Sequence, residues 1–324
     1  MTTAGLARPV VSLAAIRAAA DRLVGVANRT PLLPVPSLSQ AHGVPVAIKC
    51  EQLQPVGAFK IRGACTALAA LPAEALARGV ITYSSGNHGQ ALAFAAARLG
   101  VRAVIVMPDQ APGVKVAAVR RQGGEVIFGG TTSAERHDRA YAIAADEGLT
   151  MVPPFESLEV IAGQGTCGLE ILEDWPEVDT ILAPVGGGGL LAGISAAAAA
   201  LRPGLRVVGV EPEGAPKLAR ALDAGKPVTL ERTGSLADGL LPLSIGALPF
   251  AVMRDIVHEA VLVSETEIGD AVRFLHRELG LAAEPSGAVT TAAVLANRVQ
   301  LTGPTALILS GGNVDPDLFL RLVH

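Results

Sequence analysis

The sequence predicts an α/β fold in which parallel sheets are covered by helices. Apolar segments rich in β-branched residues alternate with alanine-rich segments along nearly all of the 324 residues, as expected when helices connect parallel strands. Half of the residues are hydrophobic but only 3% are aromatic, so most of the apolar volume comes from small and branched aliphatic side chains, which suit helices packed closely on a sheet. A chain of this length can form one large domain or two domains of moderate size.

Each predicted strand is a short apolar run, and each predicted helix is a longer run in which alanine and other helix-forming residues dominate. The predicted strands are 46–49, 80–83, 103–107, 125–128, 180–184, 206–210 and 305–309. The predicted helices are 11–27, 62–70, 87–99, 113–122, 132–147, 159–174, 190–201, 265–280 and 286–299.

Residues 80–155 form a continuous βαβαβα block with short strands and with helices that carry more charge than the others. We therefore expect a smaller α/β domain at residues 80–155, inserted into a larger domain that consists of residues 1–79 and 156–324.

The charge pattern argues against nucleic acid as a partner. The net charge is −4, and charges of both signs are scattered along the chain, whereas nucleic-acid binding needs a basic patch or stripe.

The cysteines Cys50, Cys65 and Cys167 are odd in number and widely spaced, which is typical of reduced thiols in the cytoplasm. Charged residues within 11–25 interrupt the apolar core of a secretion signal.

Residues 181–201 carry no charge and are numerous enough to cross a bilayer. The segment contains Pro184 and a run of four glycines, and its alanines form a separate block. A strand, a loop and a buried helix are therefore predicted here, and no membrane partner is expected.

Lys60 lies within the apolar, glycine-flanked segment QPVGAFKIRGA, residues 54–64. A lysine amine that is shielded from water has a lowered pKa and becomes a nucleophile, so it can form a Schiff base. From the residues alone, a surface lysine at the start of a helix is the alternative.

The loop SSGNHGQ, residues 84–90, follows a predicted strand and opens a predicted helix. The free amides at a helix N-terminus favour an anion, and the two serines and Asn87 add polar groups, so a carboxylate would fit. Ordinary helix capping by serine or asparagine is the alternative.

The glycines at 186–189 also lie between a predicted strand and a predicted helix. Consecutive glycines cost backbone entropy, which is understandable where the backbone approaches a ligand closely or offers amides to a phosphate. Gly187, Gly189 and Ala192, with Glu211 after the next strand, also fit a relaxed dinucleotide fingerprint, so a nicotinamide cofactor competes. A third loop, Ser310 to Asn313, is either a ligand site at a strand end or a simple turn.

Together these segments resemble the fold-type II pyridoxal-phosphate enzymes, most closely the serine/threonine dehydratase and serine racemase family. The resemblance spans nearly the whole chain and keeps the order of the motifs QPVGAFKIRGA, SSGNHGQA, PGVKVAAVRRQGGEV, IAGQGT, PVGGGGLLAG, VVGVEPEGA, SLADGL, AAEPSGA and LSGGNVD. It implies a fold like that of the tryptophan synthase β subunit, with two parallel-sheet, three-layer domains and pyridoxal 5′-phosphate as cofactor. The dinucleotide interpretation leaves Lys60 and the SSGNH loop unexplained.

The resemblance implies that Lys60 is the Schiff-base lysine and that Phe59 packs beside the cofactor. It also implies that the cofactor phosphate is bound by backbone groups of Gly186, Gly187, Gly188 and Gly189 and by the amide of Leu190.

Around the ring, the resemblance assigns Asn87 to the pyridoxal 3′-oxygen, Ser310 to the pyridine nitrogen and Glu284 to a position beside the ring. A hydroxyl does not force protonation of that nitrogen as a carboxylate would, so the ring is a weaker electron sink. This favours elimination of a β-hydroxyl.

The residues implied to hold the substrate carboxylate are Ser84, Ser85, Asn87, His88 and Arg136. In the racemases of this family the serine at position 85 faces Lys60 across the cofactor and handles the proton on the other face. The same serine occurs in dehydratases, so Ser85 is a catalytic candidate in either reaction.

The implied activity is dehydration and deamination of a β-hydroxy-α-amino acid, L-threonine or L-serine, to a 2-oxo acid and ammonia. Serine racemisation and dehydration of 3-hydroxyaspartate or phenylserine are the alternatives. An oxidoreductase or a silent amino-acid-binding module fits fewer residues. The high apolar content predicts a homodimer or homotetramer.

The chain departs from metal-activated members of the family near the VEP motif. It has Glu211 and Ala215 but Lys217 where a second carboxylate is expected. Because an ammonium repels a divalent cation, we expect no metal there and an ion pair between Glu211 and Lys217.

Overall fold

The computed structural model describes residues 11–84 and 86–324, which form two β-sheets flanked by helices. The strands in these residues are β1 (Leu32–Pro34), β2 (Val46–Cys50), β3 (Val80–Tyr83), β4 (Ala103–Met107), β5 (Glu125–Phe128), β6 (Thr150–Met151), β7 (Thr180–Pro184), β8 (Arg206–Pro212), β9 (Val257–Val263) and β10 (Thr305–Leu309). One sheet has the order β1-β2-β10-β7-β8-β9, and the other has the order β5-β4-β3-β6.

The helices in the same part of the chain are α1 (Leu13–Leu23), α2 (Pro36–His42), α3 (Lys60–Ala69), α4 (Ala73–Arg78), α5 (Asn87–Leu99), α6 (Gly113–Arg121), α7 (Ser133–Glu147), α8 (Leu158–Asp174), α9 (Gly189–Leu201), α10 (Lys217–Ala224), α11 (Ala247–Met253), α12 (Glu265–Leu279), α13 (Pro285–Leu295) and α14 (Pro316–Val323). Short 3₁₀ turns occur at Glu51–Leu53 and Asp238–Leu240.

The predicted strands and helices are all present, with ends within four residues of the predicted ones. The prediction missed β1, β6 and β9 and the short helices α2, α4, α10, α11 and α14. Two of the missed strands have only three and two residues, and β9 is a partly exposed edge strand that contains His258 and Glu259. Strands this short or this polar lack a long apolar run.

The prediction of parallel sheets is correct except at one edge. Neighbouring strands run parallel throughout both sheets apart from β1, which runs antiparallel to β2. The larger sheet is therefore mixed, because the chain turns back through α2 between these two strands instead of crossing over the sheet.

Each sheet is the middle of three layers. In β7, Ile181 and Leu182 belong to two different hydrophobic cores, and in β4 the neighbours Val104 and Ile105 are divided in the same way. Because successive side chains on a strand point to opposite faces, both faces of each sheet are covered and buried.

The strands from 80 to 151 all lie in the smaller sheet, and those before and after lie in the larger sheet. This division supports the proposed inserted domain at residues 80–155. Helix α3 precedes that segment, yet its Ile61 and Leu68 share a core with Leu92 of α5 and Ile105 of β4. The helix that begins with Lys60 therefore packs against the smaller sheet's helices.

A buried network of charges fixes α3 from its other side. The Arg62 guanidinium donates from Nε to Glu51 at 2.7 Å and from Nη1 to Glu170 at 2.6 Å, and Lys49 contacts Glu170 at 2.6 Å. Burial alone would raise the pKa of the Glu51 carboxyl, but the adjacent Arg62 brings that pKa below its usual value. Two cations and two anions thus join α3 to β2 and α8, close to Lys60.

Residues 181–201 form β7, a glycine loop and α9, as predicted. None of the helices between residues 11 and 324 that the structure describes combines the length and the apolar character needed to traverse a bilayer.

Candidate active site

A cavity of about 420 Å³ lies where the loops after β3, β6, β7 and β10 converge. Ligands of open α/β sheets bind at the carboxyl ends of strands, where such loops meet. The predicted site residues that line this cavity are Phe59, Lys60, Ser84, Asn87, His88, Arg136, Gly186, Gly187, Gly188, Gly189, Leu190, Glu284 and Ser310. The remaining one, Ser85, lies outside the described residues.

Lys60 is the first residue of α3, and its amine faces the cavity. The amine donates a hydrogen bond to the Pro154 carbonyl at 2.9 Å and lies 5.2 Å from the centre of the Phe59 ring. Burial lowers the pKa of the amine to about 8. The neutral, nucleophilic form of this amine is therefore much more populated near neutral pH than that of an exposed lysine, although the charged form still predominates.

The position of Lys60 is set by the backbone just before it. The Phe59 amide donates to the Ser310 carbonyl at 3.0 Å, and Ala58 forms an antiparallel bridge with Gly311. The lysine and Ser310, which is almost completely buried, are consequently held by one short piece of paired backbone.

The glycine loop leads from β7 into the 13-residue helix α9, whose N-terminus faces the cavity. Gly188 has φ +95°, a conformation that favours glycine. The first amides of a helix have no partner within it, and the helix dipole adds partial positive charge, so this end attracts an anion.

Packing within the protein accounts for part of the glycine run. A Cβ at Gly187 would lie less than 3.0 Å from three ring carbons of Phe155, and one at Gly189 would lie 3.2 Å from Phe155 Cβ. At Gly186 the nearest atom would be the Gly239 carbonyl oxygen, at 3.0 Å. The sequence interpretation gave all four glycines to a ligand, whereas Gly187 and Gly189 also leave room for Phe155.

Asn87 and Glu284 are joined at the base of the cavity. The Asn87 side-chain amide donates to a Glu284 carboxylate oxygen at 2.6 Å, and its own oxygen accepts from Asn313 at 2.8 Å. Burial, with a smaller contribution from Asp238, raises the pKa of Glu284 to about 8. Asn313 had no predicted role beyond a turn; its position in the SGGN loop was the only signal.

Ser84 and His88 form the turn that opens α5. The Ser84 hydroxyl oxygen accepts from the amides of Gly86 and Gly89 at 3.2 and 3.1 Å, whereas the N-cap position of α5 is Gly86 and not a serine or asparagine. His88 Nε2 lies 3.1 Å from the Val152 carbonyl. Since a carbonyl only accepts, Nε2 carries the hydrogen and Nδ1 is an acceptor. Burial, and then the charge of Lys60, lower the His88 pKa to about 3.

Arg136 on α7 reaches the same cavity from the smaller sheet. Its Nη1 donates to the Thr131 carbonyl at 3.0 Å, and burial lowers its pKa from the usual value. Arg136 Nε and His88 Nδ1 are buried and find no hydrogen-bond partner among the described residues. These two atoms, one donor and one acceptor, are available to a polar ligand.

Phe155, Lys115 and Asp238 are among the cavity residues that had no predicted role. Phe155 packs on the glycine loop, and an ion pair joins Lys115 of α6 to Asp238 of the 3₁₀ turn across the cavity wall. Lys115 lies in the motif PGVKV and Asp238 in the motif SLADGL. Neither motif indicates by its own sequence that the two side chains form an ion pair.

The predicted ion pair between Glu211 and Lys217 is confirmed. Both side chains are fully buried, with Nζ 3.0 Å from the carboxylate oxygen. The ammonium also donates to the carbonyls of Val185 at 2.9 Å and Ala215 at 3.2 Å. All three of its hydrogens therefore have acceptors, and one acceptor directly precedes the glycine loop.

The donor set of the cavity fits an aromatic aldehyde that carries a phosphate. The Lys60 amine provides a point of covalent attachment, and the N-terminus of α9 provides a site for the phosphate. Ser310 and Glu284 line the same cavity, and the unpartnered Arg136 Nε is a donor that an additional carboxylate could accept from.

Comparison with known proteins agrees with this fit. The sequence profile of the family described as "Pyridoxal-phosphate dependent enzyme" matches residues 25–311. The chain is 44% identical to L-threonine ammonia-lyase from Geobacter sulfurreducens, over 93% of this chain and 75% of that protein. It is 42% identical to serine racemase from Arabidopsis thaliana, over 93% and 92% of the two chains. A solved structure of maize serine racemase superposes with a TM-score of 0.92 and 38% identity, covering 96% of each chain.

The profile match and the structural likeness both extend across the two sheets and the cavity between them. The cofactor is therefore pyridoxal 5′-phosphate, and the dinucleotide fingerprint at Gly187 is a coincidence of the phosphate loop. The chain belongs to the pyridoxal-phosphate-dependent enzymes of fold-type II.

Proposed function

We propose that this enzyme dehydrates and deaminates a β-hydroxy-α-amino acid, L-threonine or L-serine, to a 2-oxo acid and ammonia. The observation that carries the proposal is the half-buried Lys60 amine, whose pKa burial lowers to about 8, in one cavity with Ser310 and a helix N-terminus. Relatives named L-threonine ammonia-lyase and serine racemase support a hydroxy-amino acid as substrate.

Lys60 acts as the general base that removes the proton from the substrate Cα. Bound pyridoxal phosphate supplies an electron sink for the pair left on that carbon. The β-hydroxyl departs with a proton as water, and a water molecule later replaces the nitrogen, which leaves as ammonia. Ser310, which lines the cavity, would offer its hydroxyl to the pyridine nitrogen of the bound cofactor and would add no full charge there, which would favour rapid elimination.

The substrate carboxylate binds at the N-terminus of α5. The amides of Asn87 and His88 begin this 13-residue helix and attract an anion, and the buried Nε of Arg136, which lines the same cavity, supplies a charged donor. Fixing the carboxylate at this end directs the Cα proton of one enantiomer towards Lys60.

Serine racemisation is the second candidate, because relatives of similar identity carry that name. Ser85 is the residue proposed to move the proton on the opposite face. Dehydration of 3-hydroxyaspartate or phenylserine would use the same residues with a different side-chain pocket.

Incubating the purified holoenzyme with each of the four amino acids, and measuring both 2-oxo acid and the D-enantiomer, separates these activities. We expect 2-oxo acid from threonine or serine in excess of D-amino acid. If D-serine is the only product, the enzyme is a racemase and not a lyase. If none of the four amino acids yields a product, the proposal is wrong.

Replacing Lys60 by alanine tests the base directly. Turnover should fall by at least about 10²–10⁴-fold, and borohydride treatment of wild-type protein should attach the cofactor to the peptide that contains Lys60. Lys60→Arg is the matched control for charge, since it keeps a cation that is neither a base nor a nucleophile. Substantial turnover by Lys60→Ala would contradict the assignment.

A homodimer or homotetramer in the cytoplasm is also proposed. The oligomer is supported by the high apolar content of the chain. The cytoplasmic location is supported by the free, buried thiols of Cys50, Cys65 and Cys167. Light scattering of the holoenzyme measures the mass, and a monomer would contradict this proposal.

A further inference from the structure

A chain of hydrogen bonds joins four segments that are distant in sequence at the base of the cavity. Asn313 Nδ2 donates to the Val56 carbonyl at 2.8 Å and to Asn87 Oδ1 at 2.8 Å. Asn87 Nδ2 then donates to Glu284 Oε1 at 2.6 Å. The chain thus runs from the loop before Lys60, through the loop after β10, to the start of α5 and the cap of α13.

The direction of every bond in this chain is fixed by its first member. The Val56 carbonyl only accepts, so Asn313 must turn its nitrogen towards it. Its second hydrogen is donated to Asn87 Oδ1. This bond orients the Asn87 side chain so that its oxygen faces Asn313. The Asn87 nitrogen therefore faces Glu284, and its remaining hydrogen has no acceptor among the residues that the structure describes.

Asn313 is held in this orientation by close packing. A Cβ at Gly57, which has φ +71°, would lie 3.0 Å from Asn313 Cγ and closer still to its oxygen. The Gly312 amide donates to the Gly57 carbonyl at 2.9 Å. A side chain at position 57 would displace the Asn313 amide, so glycine is required there for two reasons, space and conformation.

We propose that Asn313 is a positioning residue that orients the Asn87 amide, so that its free hydrogen points at the cofactor ring and its other hydrogen holds Glu284. Asn313 acts only through Asn87. Without it the Asn87 amide is held in this orientation by Glu284 alone, and a turned-over amide would place its oxygen beside the Glu284 carboxyl. The inference rests on the proposed role of Asn87 towards pyridoxal phosphate, and it is independent of which amino acid the enzyme consumes.

A double-mutant cycle on cofactor affinity tests this action through Asn87. The holoenzyme and the variants Asn313→Ala, Asn87→Ala and the double variant are dialysed against graded pyridoxal phosphate, and the retained cofactor is measured. Asn313→Ala should weaken affinity by about three- to tenfold, the effect of one lost hydrogen bond. In the Asn87→Ala background the same change should have less than about a twofold effect, because no amide remains to be oriented.

Asn28→Ala is the matched control. Asn28 Nδ2 also donates to a backbone carbonyl, that of Leu53, at 2.9 Å, and Asn28 does not line the cavity. Its loss should leave cofactor affinity unchanged. If Asn313→Ala does not fold, Asn313→Ser, which supplies only one donor, is measured in the same two backgrounds.

Equal losses of affinity in both backgrounds would overturn the proposal, since Asn313 would then act only on the backbone around Lys60. An Asn313→Ala variant with wild-type affinity would overturn it as well. Because the measurement is cofactor binding, an enzyme that binds pyridoxal phosphate but dehydrates no amino acid would refute the proposed function and leave this inference standing.

Discussion

Replacing Gly187 by alanine should destabilise the protein even when no cofactor is bound. The new Cβ would lie less than 3.0 Å from three ring carbons of Phe155. To restore an ordinary contact of 3.4 Å, the loop or the ring must move by about 1 Å or more. Overpacking of this kind costs about 1–3 kcal/mol, and we expect the upper half of that range because the loop is tied to β7 and α9.

Urea unfolding of the cofactor-free protein, followed by circular dichroism, measures this loss as a lower midpoint at an unchanged slope. Gly189→Ala is the matched control, since its Cβ would lie 3.2 Å from Phe155 Cβ and requires a shift of only a few tenths of an ångström, so its cost should be below about 1 kcal/mol. In a Phe155→Ala background the additional effect of Gly187→Ala should fall to the same level.

One result would refute the reasoning. If the cofactor-free Gly187→Ala variant unfolds at the wild-type urea concentration and only its affinity for pyridoxal phosphate falls, the glycine serves the ligand alone. The contact with Phe155 would then be incidental.

Lys217→Met should lower the free energy of unfolding by about 3–5 kcal/mol, because it leaves the Glu211 charge buried and unpaired; Lys217→Met with Glu211→Gln should recover most of this loss in urea unfolding. EDTA should leave 2-oxo acid production unchanged, since the Lys217 ammonium already satisfies the oxygens there, and activity lost to EDTA but restored by Mg²⁺ would contradict this. The Glu284 pKa is raised from 4.5 to about 8, by burial and then by Asp238. The folded protein therefore binds more protons than the unfolded chain between these values, and the stability of the cofactor-free protein should decrease as pH rises through them. Glu284→Gln should remove that decrease, as measured by urea unfolding across the same pH range.

The buried parallel strands could be predicted from the sequence because both of their faces are covered. A strand such as β7, with Ile181 facing one core and Leu182 the other, appears as an uninterrupted apolar run between glycines and prolines. Edge strands lose this signal. In β9 the residues His258 and Glu259 interrupt the run, and β1 pairs on one side only, so its antiparallel direction had no local signature.

The cavity residues that could be predicted are those that stand in motifs of unusual composition, such as Lys60 and the glycine loop. Phe155 and Asn313 were missed because their roles depend on contacts with distant segments. Asn313 contacts Asn87 across 226 positions of sequence, and Phe155 contacts Gly187 only because β6 and β7 end at the same cavity. Contacts between such distant segments leave no periodicity or spacing in the local sequence from which they could be predicted.

The central place of β10 has a consequence for the order in which the enzyme matures on the ribosome. Residues 305–309 are translated after every other strand, yet they fill the gap between β2 and β7. Without them, β2 and β7 each have an unpaired edge. The Phe59 amide, next to Lys60, also lacks the Ser310 carbonyl to which it donates. We therefore expect the larger sheet to become complete only after β10 has been synthesised.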